Sequence, residues 1–247
     1  IALATICLNE SEFLWLNYQQ HRNWPGLIAW VFVHGACRTY AEANPQMVTP
    51  VGLSADGTGS VLERIAADCP LAQVIEYGWA DAPDKSQEKC VLRNEYLSAI
   101  TQQLHRPWPD WLIISDADEM YTHAAQQQIC GLLPGLKRSL LLTQRHIWHP
   151  LSLSTTPLFS QEVVGGYWTV PHCRIYPWHP RLKYEANHNE PCLDGTSLHR
   201  SMVDGRHYRC QCVHLGFARG PEQRTATNLY YVARGEGREP RPSNRQR

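Results

Sequence analysis

The chain has no long hydrophobic run. Its longest apolar segment lies around residues 27–33 and is far shorter than the roughly 20 residues of a membrane-spanning helix, so the sequence predicts no transmembrane helix. The nine cysteines have no compact spacing typical of a disulfide framework, which predicts reduced thiols and a cytoplasmic protein. Because Ile1 already begins a strand-like pattern, we expect the native start to lie upstream.

Three familiar catalytic motifs are also missing. The sequence contains neither a Walker A loop nor a serine nucleophile elbow. Gly57 and Gly59 precede a predicted helix, but Leu62 stands where a dinucleotide fingerprint needs its third glycine. The sequence therefore does not favour a P-loop kinase, a nicotinamide-dependent dehydrogenase or a serine hydrolase.

Charge of either sign is not in excess, because the formal net charge is zero. The two signs are nevertheless separated along the chain. Residues 1–130 carry 7 Lys and Arg against 15 Asp and Glu, whereas residues 131–247 carry 16 against 8. An acidic half can hold a metal ion, and a basic half can hold an anionic partner.

Hydrophobic patterning predicts an α/β fold. With 43% hydrophobic residues in 247, the chain can bury a sizeable core. Apolar runs of strand length alternate with helical patterns, which predicts a mostly parallel sheet flanked by helices. Predicted strands cover residues 1–8, 27–34, 72–77, 111–114 and 139–144, and predicted helices lie near 60–67, 85–104 and 221–234. Residues 167–176 and 182–186 are expected to pair as antiparallel strands, and Ser11 is expected to cap the first helix.

The stretch 109–119 (PDWLIISDADE) carries the clearest chemical signal. A buried strand is predicted to end there in Asp116, Asp118 and Glu119, at the edge where open α/β sheets bind ligands. Carboxylate oxygens suit Mg²⁺ or Mn²⁺, which proteins usually hold with one or two carboxylates and substrate phosphates. The pattern predicts a metal site for a phosphorylated ligand, with a solvated acidic turn as the alternative.

A second group of candidate metal ligands lies near the C terminus. On a strand, Cys210, Cys212 and His214 would point to one face, and His207 is close in sequence, so a zinc site is one interpretation. The spacing is not that of a standard zinc finger, and buried cysteines are the alternative.

The order of these features resembles the family-2-type glycosyltransferases of the GT-A fold. The resemblance covers about the first half of the chain and rests on Asn9-Glu10, Asp56-Gly57-Thr58, Arg93-Asn94 and the Asp116-Ala117-Asp118 motif. It implies that Asp116 and Asp118 bind a divalent metal, Mn²⁺ or Mg²⁺, that grips the diphosphate of a nucleotide sugar.

The resemblance also implies roles for other donor-site residues. Asn9, Glu10 and Asp56 match positions near the nucleotide, and Arg93 matches a helix residue that faces the diphosphate. The second strand departs from the family pattern, because it reads Val33-His34-Gly35 where acids normally contact the nucleotide. The nucleotide base is therefore not predicted.

In the second half, Arg174-Ile175-Tyr176 and His188-Asn189-Glu190 resemble the acceptor region of this family. The resemblance implies that Glu190 is the general base for the acceptor hydroxyl, with Asp194 as the next candidate and a surface glutamate as the alternative. His214 resembles a histidine that adds a third ligand to the metal, with a core histidine as the alternative.

These expectations combine into one functional hypothesis. The resemblance implies a donor-binding half at 1–135, an acceptor-binding half of the same domain at 136–234 and an Arg/Pro-rich tail at 235–247. We expect a metal-dependent, inverting glycosyltransferase with an anionic acceptor, hydroxylated-base DNA being the first choice before a small saccharide or a lipid. A glycoside hydrolase, an inactive scaffold and a nucleic-acid-binding module with a Cys/His zinc site are the rival classes.

Overall fold

The structure, a computed structural model, describes residues 1–103, 108–147, 167–185, 188–198, 211–216 and 219–234. Its helices are α1 (Leu14–His21), α2 (Arg38–Ala43), α3 (Thr58–Asp68), α4 (Glu88–Gln103), α5 (His123–Leu132) and α6 (Pro221–Ala233). Its strands are β1 (Ala2–Cys7), β2 (Ala29–Cys37), β3 (Ala72–Ala80), β4 (Trp111–Ile114), β5 (Glu119–Tyr121), β6 (Leu140–Ile147), β7 (Tyr167–Pro177), β8 (Leu182–Lys183), β9 (Cys192–Leu193), β10 (Thr196–Ser197) and β11 (Gln211–His214). Short 3₁₀ turns cover Pro45–Met47, Lys85–Gln87 and Leu133–Gly135.

Eight strands form one sheet in the order β3-β2-β1-β4-β7-β6-β11-β5. The first four are mutually parallel, and β7 runs antiparallel between β4 and β6. Strand β11 is parallel to β6 and antiparallel to β5. The predicted α/β class, with a mostly parallel sheet, flanking helices and antiparallel strands in the second half, is confirmed.

Both faces of the sheet are buried, which explains why its central strands read as continuous apolar runs. Successive side chains of a strand point to opposite faces. Val31 of β2 packs in a cluster with Tyr96 of α4, whereas the next residue, Phe32, packs with Leu14 of α1 and Leu62 of α3 on the other face. The central strands are therefore held between helices.

Strand β2 is longer than the sequence predicted. It continues past His34 to Cys37, with a register shift between His34 and Gly35 where it pairs with β3. A Cβ atom on Gly35 would lie 2.6 Å from the carbonyl oxygen of Gly78 in β3, so only glycine permits this approach of the two backbones. A residue that looks like a strand breaker is here a requirement for pairing.

Two local predictions were wrong. The side chain of Ser11 does not cap α1, which begins after Phe13 without a side-chain cap; Ser11 Oγ instead donates to Asp56 Oδ2 at 2.7 Å. Strand β8 does not pair with β7, because β7 is already paired with β4 along one edge and with β6 along the other. Strand β8 joins β9 and β10 in a separate three-stranded antiparallel sheet.

The structure also bears on the predictions about membranes and thiols. Within the described ranges, no helix combines the length and the apolar character needed to cross a membrane. The eight cysteines that the structure describes are all free thiols. The ninth, Cys210, lies outside the described residues, as do His207 and the tail 235–247.

Candidate functional site

The carboxyl ends of β1 and β4 meet at the centre of the sheet. Strand β1 pairs with β2 on one side and with β4 on the other, so the strand order reverses direction there. Asn9 and Glu10 follow β1, and Asp116 and Asp118 follow β4. In open α/β sheets this reversal point is where ligands bind, and the predicted acidic residues lie there.

Two arginines hold the side chain of Asp116. Arg93 Nη2 on α4 lies 3.1 Å from Asp116 Oδ1, and Arg174 Nη2 on β7 lies 2.8 Å from Oδ2. Burial opposes ionisation of this carboxyl, but Arg174 and Arg93 outweigh it and hold the pKa of Asp116 far below its ordinary value. Asp116 is therefore an ionised anchor for two buried guanidinium groups.

Glu119 is turned away from the edge and into the protein. Its carboxylate accepts hydrogen bonds from Arg174, from Gln144 Nε2 at 2.6 Å and from the backbone N–H of Asp116 at 3.1 Å. Asn17 Nδ2 donates to its carbonyl oxygen at 2.7 Å. Burial raises the pKa of Glu119, and Arg174 opposes that shift. Of the three acids, Glu119 serves to fix the turn that presents the other two.

Asp118 faces a different pair of side chains. Its Oδ2 atom lies 3.5 Å from His214 Nε2 on β11 and 2.6 Å from Arg219 Nη2. The same Arg219 nitrogen lies 2.5 Å from Glu10 Oε1. Burial raises the pKa of Glu10 to about 8, although Arg219 opposes it, whereas His214 and Arg219 outweigh burial and lower the pKa of Asp118. One arginine thus joins the acids that follow β1 and β4.

These positions fit a divalent cation in part. A separation of 3.5 Å between Asp118 Oδ2 and His214 Nε2 is compatible with two neighbouring ligands that each lie about 2.0–2.2 Å from one ion. Asp116 does not join them in this arrangement, because its oxygens face Arg93 and Arg174. Among the described residues no group of three His, Cys, Asp or Glu side chains is arranged around one point. The three-ligand site stays a prediction.

Gly216 closes the space beside the two candidate ligands. A Cβ atom at this position would lie 2.5 Å from His214 Cε1 and 2.7 Å from Asp118 Oδ2, closer than van der Waals contact allows. We expect Gly216→Ala to displace both side chains, to lower stability by about 1–3 kcal/mol and to weaken Mn²⁺ binding, measured by thermal denaturation and calorimetric titration. Gly131→Ala is the control, since a Cβ atom at that position meets nothing within 4 Å. Equal stability and equal Mn²⁺ affinity in the two variants would contradict the assignment of Asp118 and His214 as metal ligands.

Asn9 and Asp56 are the remaining predicted donor-site residues. Asn9 adopts a left-handed backbone conformation with φ of 55°, and its side-chain oxygen and nitrogen are buried with no hydrogen-bond partner among the described residues. Asp56 accepts hydrogen bonds from Thr58 Oγ1 at 2.5 Å and Ser11 Oγ at 2.7 Å. Asp56 therefore ties the β1–α1 loop to the start of α3, and its role toward a nucleotide stays a prediction.

The two candidate bases lie in different environments near the small sheet. Glu190 is partly buried, and its Oε2 accepts a hydrogen bond from Ser197 Oγ at 2.9 Å. Asp194 lies in the turn between β9 and β10 with φ of 51°, is exposed and pairs with Arg181 at 2.9 Å. Neither assignment is tested by this geometry.

The segment that carries Glu190 approaches the Asp116 cluster. Burial lowers the pKa of His188 to about 2, and the neighbouring cations Lys89 and Arg93 add to the shift. Tyr176, two residues after Arg174 on β7, donates a hydrogen bond to the carbonyl oxygen of Asn189 at 3.1 Å. The candidate acceptor region is thus connected to the strand that supplies an arginine to Asp116.

Sequence reasoning missed two partners in this site, Arg219 and Gln144. Neither belongs to a recognisable local motif, because Arg219 follows the last strand and Gln144 is one polar residue within β6. The excess of basic residues in the second half of the sequence indicated that arginines could contribute to the site, but it did not identify Arg219 among them. The zinc interpretation gains no support among the described residues, where Cys212 is buried and belongs to the core.

Comparison with known proteins gives similarity at the level of the fold alone. No family model and no curated protein matches the sequence. Among solved structures, S. aureus TarS 1-349 in complex with UDP-GlcNAc is 12% identical with a TM-score of 0.40, covering 59% of this chain and 34% of that one. The mannosyltransferase PcManGT from Pyrobaculum calidifontis in complex with GDP-Man and Mn²⁺ is 13% identical with a TM-score of 0.45, covering 98% and 66%.

The 4-diphosphocytidyl-2C-methyl-D-erythritol synthase from Anaerococcus prevotii is also similar, at 7% identity and a TM-score of 0.35, over 72% of this chain and 70% of that one. The chain spans about one third to two thirds of the length of the TarS and PcManGT chains. Scores of this size do not decide the function, and membership of glycosyltransferase family 2 stays a prediction.

Proposed function

We propose that the protein is a metal-dependent glycosyltransferase that moves a sugar from a nucleoside diphosphate sugar to an acceptor hydroxyl. The observation that supports this is the cluster of Arg93, Arg174 and Arg219 at the carboxyl edge of the sheet. Each of these arginines holds a carboxylate, and each has one buried N–H group, Nε, Nη1 and Nε respectively, without an acceptor among the described residues. Buried donors without partners are costly, and the oxygens of a diphosphate are suitable acceptors.

A divalent cation would complete this donor site. Asp118 and His214 have suitable chemistry and spacing to hold Mn²⁺ or Mg²⁺, with Asp116 as the further predicted ligand. With such a cation bound, the negative charge that develops on the departing diphosphate is stabilised. In the arrangement described, Asp116 contributes to diphosphate binding indirectly, because its carboxylate holds Arg93 and Arg174 at the carboxyl edge of the sheet.

The other assigned residues complete the proposal. Asn9 and Glu10 lie at the end of β1, where the nucleotide would bind, and Asp56 holds the neighbouring loop. Glu190 takes the proton from the acceptor hydroxyl, and direct attack on the anomeric carbon inverts its configuration. Donor-site residues come mainly from 1–135 and acceptor-site residues from 136–234, within one domain.

A ligand screen tests this function directly. UDP, GDP, CDP, ADP and dTDP, each with Mn²⁺, are added to the protein, and thermal stability is measured. We expect one of them to stabilise the fold, by about 2.7 kcal/mol at a concentration a hundred times its dissociation constant. The corresponding nucleoside, which lacks phosphate, serves as the control. No stabilisation by any diphosphate would contradict the proposal, and release of sugar from a simple glycoside would favour a hydrolase.

We propose an anionic acceptor, with hydroxylated-base DNA as the first candidate. The support is the charge of residues 131–247, which carry 16 Lys and Arg against 8 Asp and Glu. Phosphate contacts would supply affinity, and aromatic side chains can hold an extruded base.

This acceptor prediction is tested by measuring the affinity of the protein for duplex DNA across a series of salt concentrations. Four phosphate contacts would give a log–log slope of about −3.6. Removing residues 235–247, which include Arg238, Arg241, Arg245 and Arg247, is expected to make the slope shallower. If the full chain does not bind DNA even at low salt, the acceptor is a small saccharide or a lipid instead. Binding without any turnover would favour a nucleic-acid-binding module.

A further inference from the structure

Arg219 bridges the two acidic side chains that follow β1 and β4. A single nitrogen, Nη2, lies 2.5 Å from Glu10 Oε1 and 2.6 Å from Asp118 Oδ2. Only 16% of the Arg219 side chain is exposed. The guanidinium group therefore bridges two buried acidic side chains, which would repel each other if both were ionised.

The same carboxylate oxygen is also a candidate metal ligand. Asp118 Oδ2 faces His214 Nε2 at 3.5 Å and Arg219 Nη2 at 2.6 Å. A divalent ion bound to Asp118 and His214 would lie beside the positive charge of Arg219, and like charges at such a distance repel strongly in a buried site. Arg219 and a divalent cation consequently compete for Asp118.

Arg219 has a second feature that points to a ligand. Its Nε–H group is buried without a hydrogen-bond acceptor among the described residues, although a guanidinium group presents its donors in a fork that suits phosphate oxygens. Arg93 and Arg174, the two other arginines of this edge, each have a buried N–H in the same state. Oxygens of an anion bound at this edge are suitable acceptors for such groups.

The backbone around Arg219 is held independently of its side chain. Gln223 Nε2 on α6 donates to the carbonyl oxygen of Asn9 at 2.8 Å, and Asn44 Nδ2 donates to the carbonyl oxygen of Ala226 at 3.1 Å. These two hydrogen bonds hold helix α6 without involving the side chain of Arg219. A change of partner requires rotation of one side chain and no movement of the helix.

We propose that Arg219 is a donor-binding residue that exchanges partners: it holds Glu10 and Asp118 in the free protein, and it moves to the donor diphosphate when a divalent cation takes Asp118. This inference rests on the proposed function and adds to it a residue and an order of events. Cation binding alone is disfavoured by Arg219, whereas cation and diphosphate together are favoured, because the diphosphate receives the displaced guanidinium group. The two ligands should therefore bind cooperatively.

Arg219→Gln separates this role from a structural one, because its two expected effects have opposite signs. Binding of MnCl₂ alone, followed by electron paramagnetic resonance of free Mn²⁺, should become about tenfold tighter, since the competing charge is gone. Binding of UDP, GDP or ADP at saturating Mn²⁺, whichever binds the wild type best, should become about tenfold weaker or more, since a charge-assisted hydrogen bond is lost. Both are measured on the full chain.

Arg22→Gln is the matched control. Arg22 pairs with Asp68 at 3.0 Å on the exposed surface, where both side chains are 45% exposed, and neither affinity should change in that variant. Arg219→Lys keeps the charge and provides a second test should the glutamine variant fold poorly: Mn²⁺ affinity should stay within about twofold of the wild type, and diphosphate affinity should fall.

The possible failures are distinguishable. If Mn²⁺ binds wild type and Arg219→Gln equally while the diphosphate still binds both with Mn²⁺, the partner exchange is wrong and the proposed donor site stands. If both affinities fall together, Arg219 is only structural and the inference is again wrong. If no nucleoside diphosphate binds the wild type, the proposed function and the inference fail together.

Discussion

Asp118→Asn should lose nearly all sugar transfer while the protein remains folded. The substitution keeps the shape of the side chain and removes the charge that Asp118 offers to a cation beside His214. Loss of one charged metal ligand is expected to slow transfer by at least about 100-fold, which corresponds to about 2.7 kcal/mol of transition-state stabilisation. Steady-state kinetics with the donor found in the ligand screen measure this loss.

The fold should survive because the local backbone contact does not involve the carboxylate. The N–H of Leu215 donates to the carbonyl oxygen of Asp118 at 2.8 Å, and Arg219 keeps Glu10 as a partner. Asp68→Asn, at the exposed pair with Arg22, is the control and should retain full activity. Chelation of the metal in the wild type should reproduce the loss. Full turnover at saturating chelator would refute the assignment of Asp118 to a metal.

The second large effect is expected at the candidate base. Glu190→Gln should keep donor binding, because Glu190 acts on the acceptor, and should slow transfer by about 10²-fold or more. The amide has nearly the shape of the carboxylate, and its oxygen can still accept the hydrogen bond from Ser197 Oγ, which is 2.9 Å in the wild type. What the variant loses is the capacity to take a proton. Transfer rates at saturating donor and acceptor, together with diphosphate affinity, separate the two effects.

Glu185→Gln is the control for this variant, because Glu185 is exposed in the same segment of the chain. Asp194→Asn decides between the two candidates. Asp194 pairs with Arg181 at a solvent-exposed turn, and a large loss there, with near-normal transfer in Glu190→Gln, would assign the base to Asp194. Equal and small effects in both variants would mean that another group takes the proton.

The sequence was informative about elements whose signal is local. The apolar run before Asp116 predicted β4 with its observed bounds, Trp111–Ile114, because a fully buried strand between two helical layers has to be apolar throughout. The acids after it were correctly placed at the carboxyl edge. Helix α5 was missed because three consecutive glutamines at residues 126–128 interrupt its apolar periodicity. Its N-terminal cap is nevertheless present, since Thr122 accepts a hydrogen bond from the N–H of Ala125 at 3.1 Å.

The partners of those acids depend on long-range pairing that a single sequence does not reveal. Arg174 reaches Asp116 because β7 pairs antiparallel with β4, placing Ile175 opposite Ile113. His214 reaches Asp118 because β11 pairs antiparallel with β5, placing His214 opposite Glu119. Alternating or apolar patterns can predict that such strands exist, but they do not specify which strand is the neighbour or its register.

The long-range ion pair of Arg219 has a consequence for how the protein is made. Arg219 lies 101 residues after Asp118, and Arg174 lies 58 residues after Asp116. At about 5–20 residues per second, the ribosome needs several seconds to add the arginines that balance acids already synthesised. During that interval Asp116 has Arg93 available, but Asp118 lacks Arg219, so the ion pairs of this edge are completed only after residue 219 has been translated.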